Sequence, residues 1–275
     1  FDAVRKVEFL KGIARDTGGR YYGIEEADRL PEEIRYVRSE SSVTEVLDLW
    51  DMPFNFLLLA GMYVVNFLTV MMTVLTSVDT LSGEISSGTI HTLVAKPIRR
   101  WEIVLGKWLG FSGMLTLYLL LMGGGVIGVI YLRSGYLPPN PLSGLALIWL
   151  NALVLLSVSL LGGVHFSTLT NGVLVFGLFG VAFIGGWIEQ IGTLMSDLTA
   201  SHTALNIGVI TSLIMPSEAL WKRAAYELQS PLITTLGISP FVGKVYPSLA
   251  MVIYAAGYLL LALGLAIRRF NRRDL

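Results

Sequence analysis

PFNFLLLAGMYVVNFLTVMMTVLTSV, residues 53–78, contains no Asp, Glu, Lys or Arg. About 20 helical residues cross the ~30 Å hydrocarbon layer of a bilayer, so this stretch is long enough to span one. Four more charge-free runs follow, at 108–132, 144–164, about 167–188 and 248–267. Trp108, Tyr131, Trp149 and Trp187 lie near the ends of these runs, where aromatic rings favour the membrane–water boundary. A sixth apolar run, Ala204 to Met215, is too short to cross and is closed by Pro216; it is expected to be interfacial or re-entrant. The expected fold is therefore an all-α integral membrane protein with five transmembrane helices.

Composition supports a membrane chain but is uneven. Hydrophobic residues make up 53% of the 275 residues and charged residues 15%, against about 25% charged in soluble domains, and the mean hydropathy is +0.65. Residues 1–51 carry eight Lys/Arg and twelve Asp/Glu, whereas the remainder carries twelve and eight. The zero net charge thus joins an acidic polar segment to a basic apolar one. With no cysteine, disulfides, thiolate metal sites and cysteine nucleophiles are excluded.

The polar segment reads as a small α/β unit. Val4, Val7, Leu10 and Ile13 mark one face of a helix; Thr17-Gly18-Gly19 ends it, and RYYGI (20–24) suits a short strand. About 50 residues are marginal for an independent core. Phe1 opens a charged stretch rather than a short basic region and an apolar run, so it does not read as a secretory signal. The expected division is a soluble segment over 1–52 and a membrane domain over 53–275.

Orientation follows from Lys and Arg. The connection 79–107 carries Lys96, Arg99, Arg100 and Lys107, and the C-terminal tail carries Arg268, Arg269, Arg272 and Arg273. Five spans place both on one side, which is read as cytoplasmic. The N-terminus is then extracytoplasmic, in a cell (plasma) membrane protein.

The connection itself, DTLSGEISSGTIHTLVAKPIRRWEIVLGKWLG (79–110), is the most informative stretch. Glu84-Ile85 and Gly88-Thr89-Ile90 suggest a short amphipathic helix interrupted by glycine, which Lys96-Pro97 breaks. Arg99-Arg100-Trp101 suits a membrane surface. Ser82-Gly83-Glu84, Gly88-Thr89-Ile90, Lys96-Pro97-Ile98, Arg99-Arg100 and Gly106-Lys107-Trp108-Leu109-Gly110 together resemble the ABC-2 type permease family, a likeness that continues through NGVLVFGLFG (171–180) and RRFNRRDL (268–275). The resemblance covers roughly residues 60–275.

It implies an interfacial coupling helix that docks on an ABC-type ATPase subunit, with Glu84, Gly88 and Thr89 at or near the contact. Lys96, Pro97, Arg99 and Arg100 would carry the chain back along the membrane surface. The same residues also suit a plain basic interfacial loop. The family likeness further implies a permease dimer in the lipid bilayer, with ATP and magnesium held by the partner rather than by this chain. No GxxxxGK[ST] phosphate loop occurs here, since Gly123-Gly124-Gly125 has no lysine after it. The chain is thus expected to be a transporter subunit and not an enzyme, with no cofactor and no catalytic residue of its own.

A six-span member of that family would begin with a cytoplasmic N-terminus and a first span, both of which this sequence is expected to lack. LKGIARDTGGRYYGIEEADRLPEEI (10–34) and LDLWDMP (47–53) instead resemble the end of a von Willebrand factor A-like domain and its membrane anchor. That domain class's DxSxS metal motif is missing.

The remaining polar residues have modest expected roles. His91, His165 and His202 lie in three separate connections and do not suggest a metal site. Glu189 and Asp197 follow the fourth span, where a carboxylate could touch cargo, but Trp187 points to the boundary and a wet Glu189. Ser157, Ser159, Thr168, Thr170 and Asn171, and the glycines at 123, 124, 125 and 128, are expected to pack helices. SEALWKRAAYELQ (217–229) reads as a surface helix capped by Ser217. No basic patch suggests nucleic acid. Two rivals to a permease stand: a non-transporting anchor, or defunct gene fusion, with an extracytoplasmic binding segment, and an ion-driven carrier. The scarcity of charge in the spans disfavours the carrier.

Overall fold

A computed structural model describes Lys11 and residues 41–90, 99–195, 202–231, 233 and 246–273. The chain divides into two units, Phe1–Thr44 and Glu45–Leu275. Apart from Lys11 and residues 41–52, the segment expected to form a small α/β unit lies outside the described residues. All that follows concerns the second unit, apart from the opening turn of its first helix.

The described elements are helices: α1 (Ser41–Ser86), α2 (Arg100–Ser134), α3 (Pro141–His165), α4 (Thr168–Met195), α5 (His202–Ile214), α6 (Ser217–Leu228) and α7 (Leu249–Asn271). Five of them are long and apolar enough to cross a membrane, over Asp51–Ser86, Arg100–Ser134, Pro141–His165, Thr168–Gly192 and Leu249–Asn271. Each corresponds to one expected span. Pro53, read as the entry to the first span, lies inside α1; it has no N–H to offer the carbonyl of Leu49, yet the helix runs through it.

α3 is the axis of the bundle. Every residue from Asn151 to Leu160 is buried, as expected of a helix that is apolar all round. Its few polar groups meet partners on its neighbours. Asn151 Nδ2 donates to Asn66 Oδ1 of α1 (3.1 Å) and Ser77 of α1 donates to Ser159 (2.7 Å). Trp108 Nε1 of α2 donates to Ser157 (3.0 Å), and Asn171 of α4 donates to the carbonyls of Val78 and Ser159 (3.1 and 2.9 Å). In hydrocarbon such bonds hold helices together at about 0.6 kcal/mol apiece. α7 faces the bundle with Ala255, Leu259, Ala262, Leu263, Ala266 and Phe270, a spacing of three and four.

α5 and α6 meet at 105°. Such a bend belongs to a broken span or a re-entrant loop, and the run expected to be interfacial or re-entrant is its first arm; α6 is no surface helix. Ala219, Leu220, Trp221, Ala224, Ala225 and Leu228 are all buried. Trp221 meets Tyr63 of α1 edge-on at 5.2 Å, and Asn55 of α1 donates to Tyr136 Oη (2.6 Å) and to the Leu228 carbonyl (3.1 Å). Ser217 is the first helical residue rather than the cap, which is Pro216, and its buried hydroxyl has no partner. The run's alternation of small and large apolar residues serves insertion among α1, α3 and α4 rather than a wet face.

Candidate functional site

Two ends of the bundle carry ionic side chains. At one, α1 and α2 continue past their charge-free cores: charge reappears at Asp79 in α1 and persists to Lys107 in α2. At 1.5 Å per residue, the 36 residues from Asp51 to Ser86 rise roughly 54 Å, well beyond a ~30 Å hydrocarbon layer. The expected loop 79–107 is therefore mostly helix, the ends of two spans.

Lys107 Nζ of α2 reaches Glu84 Oε1 of α1 at 2.6 Å and also donates to the Thr80 carbonyl at 3.3 Å. Both side chains are partly exposed, at 19% and 30%. Glu84 Oε2 is buried and without a partner. One turn earlier, Thr168 at the start of α4 donates to Asp79 Oδ1 (2.6 Å) and shares a 2.9 Å hydrogen bond with Ser82. These contacts tie α1, α2 and α4 together around a cavity of about 490 Å³ lined by Thr76, Asp79, Gly83, Glu84, Ser87 and Lys107.

Beyond Ser86 the chain turns sharply. Ser87 N–H bonds the Gly83 carbonyl (2.9 Å), and Gly88 has φ +74°, a left-handed conformation that favours glycine. Helix resumes at Thr89 and Ile90; Thr89 is exposed and bonds Ser87 (2.8 Å), whereas Ile90 is fully buried. His91, Lys96 and Pro97 lie outside the described residues. At the start of α2, Arg99 N–H donates to Glu102 Oε2 at 3.0 Å, closing the helix end. Arg100 donates to the Arg273 carbonyl, and Arg273 to the carbonyl of Val164 at the end of α3. The α7 tail is thereby bound to α2 and α3.

Of the residues singled out from sequence, Glu84, Gly88, Thr89, Arg99 and Arg100 thus gather at one end. Glu84 is engaged inside the chain, and Arg100 holds the tail rather than lying free along a surface. Asp79, Lys107 and Thr168 belong to the same cluster; Lys107 was read from sequence only as a basic residue of the connection and Thr168 only as helix packing, because pairs 23 and 89 residues apart leave no local pattern. His165, at the same end, is exposed and bonds the Leu161 carbonyl (3.0 Å).

The opposite end holds a second pair, Lys222 of α6 to Glu189 of α4 at 2.8 Å, with side chains only 5% and 18% exposed. Glu189 is therefore partly exposed and paired rather than freely solvated: α5 packs against it, and a Cβ placed at Gly208 would lie 2.3 Å from Glu189 Oε2. Asp197 lies outside the described residues.

No match was found among curated proteins. A family model described as "ABC-2 family transporter protein" matches residues 22–275. The match begins inside the segment expected to resemble a von Willebrand factor A-like domain, and it lends that resemblance no support. It takes in all five spans, the Glu84–Lys107 end and the α5–α6 pair, and the chain belongs to the ABC-2 transporter family.

Proposed function

We propose that the chain is the membrane permease subunit of an ABC-type exporter and that the Glu84–Lys107 end receives the push of a separate ATPase. The carrying observation is mechanical. α1 and α2 both continue past their charge-free cores and are joined there by an ion pair, and residues 87–99 connect the two. A force applied there passes to two spans as one body. Thr89, exposed at the turn, is the described residue best placed for contact with the partner, with Lys96 and Pro97 further along the same connection.

On this reading ATP and magnesium belong to the ATPase, the permease works as a dimer, and the Arg-rich end is cytoplasmic with residues 1–52 outside. Transport requires that the ATPase contact the two arrangements of the helices differently, since equal contact shifts no equilibrium.

The test is co-purification. The tagged chain, extracted in mild detergent, is expected to bring down an ABC-type ATPase, and Thr89→Arg is expected to release it while the permease stays folded. Failure to recover an ATPase from well-folded protein would overturn the reading in favour of an anchor.

A further inference from the structure

α3 packs against both α4 and α7, whereas α4 and α7 hardly touch each other. A groove of about 450 Å³ is left between those two helices, with α3 as its floor. Leu174 and Leu178 of α4 form one wall, and Leu261 and Leu265 of α7 the other. Tyr258 lines the deep end, and His165 and Arg269 line the end at which α3 and α7 stop. Tyr258 and Arg269 stand eleven residues apart on α7. That is a rise of roughly 16 Å, about the depth of one leaflet of a ~30 Å hydrocarbon layer.

The shallow end is cationic. Arg269 is exposed and lines the groove, and Arg273 donates to the Val164 carbonyl, next to His165. A carbonyl accepts a hydrogen bond but leaves the guanidinium charge in place. Among the described residues no carboxylate lines the groove. Those of the same end are engaged elsewhere: Asp79 accepts from Thr168, Glu84 pairs with Lys107, and Glu102 accepts from the Arg99 N–H. Arginines at one end of a bundle are what orientation in a membrane requires. An apolar slot one leaflet deep, opening beneath two of them, is not part of that requirement.

We propose that this α3–α4–α7 groove holds an acyl chain of one anionic phospholipid, with the phosphate on Arg269 and beside Arg273. The leucine walls take the hydrocarbon, and the planar fork of a guanidinium suits two phosphate oxygens. A zwitterionic head brings its own cation to two arginines; a head of net negative charge does not. Basic pockets between helices at the membrane surface select lipids in this way. Such a lipid is held on the flank of the bundle whether or not the chain works with an ATPase.

The full chain, stripped of lipid in mild detergent, is titrated with phosphatidylglycerol and phosphatidylcholine of identical acyl chains, and bound lipid is counted by native mass spectrometry. One phosphatidylglycerol per chain is expected to bind about tenfold more tightly than phosphatidylcholine. Arg269→Gln is expected to bring the two lipids to within about threefold of each other. Arg268→Gln removes the same charge from a residue outside the groove and is expected to keep most of the preference. Leu265→Trp, which narrows the slot and leaves every charge in place, is expected to weaken both lipids. An excess of glycerol 3-phosphate is expected not to displace the bound lipid.

Equal binding of the two lipids to the native chain overturns the proposal. So does a preference that Arg268→Gln reduces as much as Arg269→Gln, because the arginines then act only as diffuse surface charge. Undiminished binding to Leu265→Trp would put the acyl chain elsewhere, and displacement by glycerol 3-phosphate would leave a site for a free anion; either result overturns it as well. Should Leu265→Trp fail to fold, the contrast between Arg268→Gln and Arg269→Gln decides.

Discussion

The described residues include two Glu–Lys bridges of nearly equal length, 2.6 Å for Glu84–Lys107 and 2.8 Å for Glu189–Lys222, and they do different work. The first stands at the ends of α1 and α2 with both side chains partly exposed, at 19% and 30%, and such a pair contributes at most about 1 kcal/mol. The second lies among α4, α5 and α6 beside a second carboxylate. Lys222, at 5% exposure, cannot return to water without opening the packing, so it depends on Glu189. Distance alone ranks the two alike; burial separates them.

The largest effect that would test this contrast is removal of Lys222. Lys222→Met leaves Glu189 and Glu218 with no ammonium, and breaking a buried pair on one side costs about 3–5 kcal/mol. The melting midpoint of the detergent-solubilised chain, followed by fluorescence-detected size exclusion, is expected to collapse, or the chain to disappear from the membrane fraction. Lys222→Met combined with Glu189→Met is expected to recover part of the loss. A Lys222→Met variant as stable as the parent would mean that water reaches the cluster freely.

A smaller effect at the same end comes from the glycines that make room for it. Cβ atoms at Gly186 and Gly208 would fall 2.1 Å from Glu218 Cγ and 2.3 Å from Glu189 Oε2. Gly186→Ala therefore forces the carboxylate side chain or α6 to move, at a cost of about 1–3 kcal/mol typical of overpacking. The same melting assay reads it.

At the exposed end, stability and activity are expected to part company. Glu84→Lys and Lys107→Glu each set like charges side by side yet shift stability by no more than about 1 kcal/mol. ATPase-coupled transport in reconstituted vesicles is expected to fall sharply in both single variants. The double exchange, Glu84→Lys with Lys107→Glu, is expected to restore it, because the bridge is internal. If the double exchange stays uncoupled, Glu84 acts on the partner directly and not through Lys107.

The spans were open to view in the sequence because a charge-free run of twenty or more residues has one reading in a membrane chain, and the helix hinge at Pro216 announced itself by length. What lay hidden was tertiary. Whether Glu189 is wet depends on α5 folding back over it, and nothing near Trp187 reports that. The burial of α6 was equally invisible: its sequence mixes Glu218, Lys222, Arg223 and Glu227 with alanines, a pattern shared by surface helices and by helices whose charges are satisfied inside. The Glu84–Lys107 bridge joins residues on two separate helices, and only the length of both, carrying them past the bilayer together, brings it into being.

The smallest predicted effect lies midway between the two ends. Gly123, Gly124, Gly125 and Gly128 of α2 had one expected role, close helix approach, and among the described residues of the chain itself only Gly123 has it. A Cβ there would lie 2.6 Å from Leu145 Cδ2 of α3, whereas Cβ atoms at Gly124, Gly125 and Gly128 would meet nothing within 4 Å. Successive helical residues point about 100° apart, so neighbours in sequence face α3 and open space in turn. Gly123→Ala is expected to lower the melting midpoint modestly as Leu145 gives way. Gly124→Ala is expected to leave it unchanged or raise it by the equivalent of about 0.5–1 kcal/mol, the usual preference of a helix for alanine over glycine. If both substitutions destabilise to the same degree, Gly124 faces another copy of the chain and not lipid, and the open side of α2 becomes the place to look for the second permease.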